Sequence, residues 1–77
     1  MTGTLDQATA GRRARIVRIR PGGGAIRQRL LDMGVTKGAE LLVERVAPIG
    51  DPIEVFIKGY HLAIRKSEAA FIDVDYL

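Results

Sequence analysis

Residues 53–64 read Ile53-Glu54-Val55-Phe56-Ile57-Lys58-Gly59-Tyr60-His61-Leu62-Ala63-Ile64. Ile53, Val55 and Ile57 fall on one side of a two-residue period, and Glu54, Phe56 and Lys58 fall on the other, which is the signature of a strand with one buried face. Gly59 permits a tight reversal. Beyond it the alternation resumes, with Tyr60, Leu62 and Ile64 expected inward and His61, Ala63 and Arg65 outward. A hairpin of this kind cannot bury its apolar face alone, so it needs further strands on which to close.

Upstream of the hairpin, residues 41–46 are strand-like and 47–52 form a loop marked by Pro48, Gly50, Asp51 and Pro52. Residues 14–20 carry Ile16, Val17 and Ile19 among arginines. Their β-branched character predicts a strand, and the adjacency of Ile16 and Val17 predicts a local irregularity in it. Pro21 with Gly22, Gly23 and Gly24 ends that strand. Residues 25–33 then place Ile26, Leu30 and Met33 on one helical stripe, with Gly34 where a left-handed C-terminal cap is wanted. Leu31 is off this stripe, near Arg27, and either packs under Val35 or stays partly exposed.

Downstream, Ser67 is expected to N-cap one helical turn through Ala70, and residues 71–74 to form a last short strand. Residues 1–11 are small and polar and are expected as a loosely held lead-in that docks Leu5. The chain is thus predicted to be mainly β, a single domain over residues 1–77. Its form is a small barrel of about five strands, with one helix after the first strand and a short helical turn before the last.

Composition narrows the function. The 77 residues are 47% apolar and 27% charged, carry a formal charge of +3, and include no cysteine, which excludes disulfides, thiolate metal sites and a cysteine nucleophile. One serine, Ser67, and one histidine, His61, give no nucleophile–base pair, so no enzyme is expected and no catalytic residue is assigned. His61 alone does not make a metal site within one chain, and is the sole candidate for a weak, exposed one. The glycine triplet lacks the spacing of a phosphate loop.

Arginines gather early in the chain, at positions 12, 13, 15, 18, 20, 27 and 29. A solvated surface accounts for them, and so does a basic nucleic-acid face. Phe56 is the one aromatic expected to point outward, thin provision for base stacking, so no nucleic acid is expected as a partner. No apolar run reaches the length of a membrane span, and the first residues lack the pattern of a signal peptide. A cytoplasmic protein is expected.

An ordered series of motifs resembles the FeoA family. Gly11 with Ala14-Arg15-Ile16-Val17 is similar to its opening strand. Gly23-Gly24 and Arg29-Leu30-Leu31-Asp32-Met33-Gly34-Val35 are similar to its helix and glycine stop. Lys37-Gly38-Ala39-Glu40-Leu41 is similar to the turn into the next strand. The loop Ala47-Pro48-Ile49-Gly50-Asp51-Pro52-Ile53, then Lys58-Gly59-Tyr60 and Leu62-Ala63-Ile64-Arg65-Lys66-Ser67-Glu68-Ala69-Ala70, complete it. Ala8 departs from the pattern, standing where such domains often carry a larger apolar residue.

The resemblance implies an SH3-like barrel, a type that also occurs as the C-terminal domain of DtxR-like metal-dependent repressors; with no winged-helix segment ahead of it, a freestanding module is expected. It further implies an accessory protein of ferrous iron uptake, partnered with the FeoB-type membrane transporter and GTPase, in a family associated with transition metal ions. No cofactor is required on this reading, and a divalent transition metal is the ion that would bind weakly. Alternatives of other classes are a small basic nucleic-acid-binding barrel and a metal-responsive regulatory module. The expected contact patch on the partner is Arg27 and Leu31 on the outer face of the helix, with nearby Arg29, since guanidinium groups pair and stack while leucine anchors.

Overall fold

The computed structural model describes residues 1–21 and 24–77; the expected glycine turn at Gly22 and Gly23 lies outside the described residues. Six strands form one antiparallel sheet: β1 (Thr2–Thr4), β2 (Arg13–Ile19), β3 (Glu40–Val46), β4 (Ile53–Ile57), β5 (Tyr60–Ile64) and β6 (Ile72–Tyr76). Their order across the sheet is β1-β6-β2-β3-β4-β5. Two short helices, α1 (Ala25–Asp32) and α2 (Lys66–Ala69), and a 3-10 turn at Leu5–Gln7 complete the fold.

The decisive hairpin forms, and its first strand alternates as predicted. Ile53, Val55 and Ile57 are buried, and Ile57 pairs with Tyr60 across the two-residue turn Lys58-Gly59. Both turn residues have positive φ, 51° and 86°, the combination that matches the right-handed twist of the flanking strands. The irregularity expected at Ile16 and Val17 is a shift in the β2–β6 register between Ile16 and Arg18. It leaves Val17 and Arg18 both outside while Ile16 and Ile19 stay inside.

Helix α1 stops as expected at Gly34, whose φ is 86°. The Gly34 N–H donates to Leu31 O and the Val35 N–H to Leu30 O, both at 3.0 Å, and the side chains of Leu30 and Val35 are fully buried beside this turn. This hydrogen-bond pair with its apolar clasp is a Schellman stop. Leu30 carries the buried stripe; Ile26, Leu31 and Met33 are partly buried against the core.

Details of the expected fold differ in the structure. Among the described residues there are six strands where about five are expected, because residues within the expected lead-in form β1, which pairs with β6 from Thr2↔Asp75 to Thr4↔Asp73. Three small polar residues on a sheet edge show no alternation, yet Gly3 admits the Tyr76 ring at close range and the Tyr76 hydroxyl donates to Thr4 O at 2.6 Å. The lead-in is therefore held, with Leu5 fully buried and Ala8 8% exposed.

Tyr60, expected inward, is 39% exposed, because it sits at the end of an edge hairpin beyond the core. Ser67 is not the N-cap of α2: Arg65 holds that position, and the helix start is satisfied instead by carboxylates. Glu68 Oε1 accepts from the Arg65 N–H and Asp51 Oδ1 from the Lys66 N–H, each at 2.9 Å. Finally, the last strand runs to Tyr76 rather than ending at Val74.

Candidate partner-binding site

The stripe that buries Leu30 decides where the rest of α1 points. Arg27 and Leu31 are one turn apart and share a flank, whereas Arg29 lies about 160° around the helix from Arg27 at 3.6 residues per turn. The structure accordingly separates the three expected contact residues. Arg27 Nη1 donates to Ile19 O at 3.1 Å, tying α1 to the end of β2. Leu31 packs half-buried beside it. Together with Arg18, Ile19 and Lys37 they line a groove of about 160 Å³.

Arg29 instead reaches α2, where its guanidinium is ion-paired with the buried Glu68. It lines a second cleft with Ile26, Arg65, Ser67 and Glu68. The helical wheel alone would have set Arg29 apart from the other two. Arg18 and Lys37 were not singled out by the sequence, because Arg18 turns outward only through the β2 irregularity, and Lys37 joins the groove only through the turn after α1.

The β2 wall carries its own charge cluster. Arg18 Nε and Arg20 Nε donate to the two oxygens of Asp73, at 2.8 and 2.9 Å. These bonds, Arg20's first, hold the Asp73 carboxyl below the usual carboxylate range against the opposing effect of desolvation, and the same contact raises Arg20. One carboxylate thus serves two guanidiniums, and the cluster keeps a net positive charge.

His61 points outward, as expected. Its Nδ1 lies 2.7 Å from Glu44 Oε1, and its ring is 5.0 Å from that of Phe56 on the paired strand. Phe56 is outward, 38% exposed. The two donors of His61 and Glu44 fall short of the three protein ligands that even an open zinc site uses. Among the described residues no group of three or more His, Asp or Glu converges, and no helix is long and apolar enough to cross a membrane.

A coiled antiparallel sheet of six short strands, capped by two short helices, defines a small SH3-like domain whose chemistry lies on its surface. The chain belongs to the FeoA domain family, whose profile matches residues 3–76. It is 36% identical over 73 residues, 95% of its length, to a protein of Porphyromonas gingivalis described as an Fe(2+) transport protein A/Fe(2+) transporter FeoB fusion, and spans 8% of that relative.

Among solved structures, an FeoA-like protein from Clostridium acetobutylicum is 36% identical with a TM-score of 0.91, covering 99% of this chain and 87% of that one. The zinc complex of Stenotrophomonas maltophilia FeoA, described as a procaryotic SH3 domain protein, is 29% identical with a TM-score of 0.82, covering 95% and 89%. A manganese-dependent transcriptional repressor, 18% identical with a TM-score of 0.91 over 99% of this chain and 41% of its own, shares the fold alone.

Proposed function

We propose that this domain is a cytoplasmic accessory module of ferrous iron uptake that binds an FeoB-type transporter and modulates it, with no catalytic step of its own. The observation that carries this reading is the fused relative, in which a segment 36% identical to this chain is covalently joined to FeoB. A linker holds two modules at high effective concentration, which favours pairs that act on one another.

The domain would act by differential affinity. A binding module shifts its partner's equilibrium only to the extent that it prefers one state, for instance the nucleotide-bound state over the empty one. Arg27 and Leu31 are the contact residues on this reading. Arg29 contributes through its ion pair with Glu68, which fixes α1 against α2.

The test is an NMR titration of the labelled domain with the cytoplasmic part of its cognate FeoB, with and without GTP. Shifts confined to one face, altered by nucleotide, are expected. An unchanged spectrum at high partner concentration, both with the soluble part and with full-length FeoB in detergent, would overturn the proposal.

A further inference from the structure

We infer that the groove between α1 and β2 receives an acidic peptide segment carrying an apolar anchor, with the anchor seated on Ile19 and Leu31 and its flanking carboxylates on Arg18, Arg27 and Lys37. This deepens the preceding reading and rests on it in one respect, that the segment belongs to the protein partner.

Charge complementarity selects the occupant. The lining is three cations and two apolar residues, with no carboxylate. The carboxylate that pairs with Arg18, Asp73, is shared with Arg20. Lys37, which lines the groove, is exposed. By contrast the cleft on the opposite flank of α1 holds a carboxylate of its own, Glu68, which pairs with Arg29 there.

Size and shape point the same way. A groove of about 160 Å³ is smaller than the pockets that enclose a drug-sized ligand, roughly 300 Å³ and above, and accommodates a side chain. None of its lining residues is aromatic, so it offers no platform on which nucleic-acid bases stack. Two of its three cations and its leucine are also preorganised. Arg27 is fixed by Ile19 O, Arg18 by Asp73, and Leu31 by core packing at the Schellman stop, so less side-chain freedom is lost on binding.

The experiment uses the whole domain, 15N-labelled, and an end-capped peptide of sequence Glu-Asp-Leu-Leu-Asp-Glu. Parallel arms use a lysine-substituted peptide, inorganic phosphate, a poly-dT oligonucleotide and phosphatidylglycerol vesicles. Shifts are expected at Arg18, Ile19, Arg27, Leu31 and Lys37 with the acidic peptide alone, weakening with salt. Lys37→Glu, at an exposed site, is expected to weaken binding roughly fivefold or more, whereas Arg15→Glu, outside the groove, is not. Silence at millimolar peptide, shifts on another face, or an equal response to phosphate, oligonucleotide or vesicles overturns the inference. FeoB binding that leaves these five amides unmoved sinks the groove and spares the transporter reading. Peptide binding here without any FeoB binding sinks the transporter reading and spares the groove.

Discussion

Glu68 of α2 is buried, 4% exposed, and takes the guanidinium of Arg29 across the gap between the two helices. Its other oxygen accepts from the Arg65 N–H, so one carboxylate both starts α2 and anchors α1. Deleting only the cation leaves that charge buried with a single donor. Arg29→Ala is expected to destabilise the domain by about 1–3 kcal/mol, the range for a buried polar group that loses its partner where the partner is itself half-exposed. Adding Glu68→Gln, which removes the charge, should recover part of that loss. Urea denaturation of the two single variants and the double variant checks this, and additive losses would refute it.

Gly34 closes α1 in the left-handed region, and a Cβ built there lies 2.8 Å from the Tyr60 hydroxyl. That hydroxyl is the tip of a side chain 39% exposed, which can move aside, so backbone strain is the larger cost. Gly34→Ala is expected to cost about 1–2 kcal/mol, and combining it with Tyr60→Ala should not restore the loss. Thermal unfolding of both variants distinguishes strain from crowding. Rescue by Tyr60→Ala would show that the contact dominates.

These elements also mark what the sequence reveals. The hairpin over residues 53–64 is legible because alternation and a glycine turn agree, and α1 because its stripe ends on a glycine able to take positive φ. Strand β1 is not legible, since three residues on a sheet edge bury almost nothing of their own and are held by Tyr76, more than seventy positions away. The start of α2 misleads because Ser67 is a better isolated cap than Arg65, while the groups that satisfy this helix are Glu68 and Asp51. The Arg27 and Leu31 wall of the groove is readable from α1. Arg18 depends on the β2 irregularity, which turns it outward, and Lys37 on the turn after α1.

The Asp73 cluster links stability to pH. Hydrogen bonds from Arg20 and Arg18 depress its folded pKa, so the carboxylate contributes stability above its unfolded pKa, about 4, and loses it as pH falls through the lower folded value. Asp73→Asn is therefore expected to be less stable than the parent near neutral pH, with the gap narrowing below pH ~4 and closing in stronger acid. Denaturation midpoints of both proteins across that range provide the check. A gap independent of pH would mean that the side chain's shape, not its charge, holds the two arginines.

Leu5 tests whether the first residues belong to the folded unit. It is the fully buried first residue of the 3-10 turn that follows β1, and the Ala8 N–H returns to Leu5 O at 3.1 Å to close that turn. Truncating a buried leucine costs its transfer free energy plus that of the cavity left behind, about 2–5 kcal/mol. A domain of this size has a total stability near the low end of about 5–15 kcal/mol, so such a loss removes a large share of it. Leu5→Ala is thus expected to lower the urea midpoint sharply and to speed amide exchange in β6, to which β1 is paired. A lead-in that merely rested on the core would give a change under about 0.5 kcal/mol, the scale of an ordinary surface substitution, and would leave exchange in β6 unaltered.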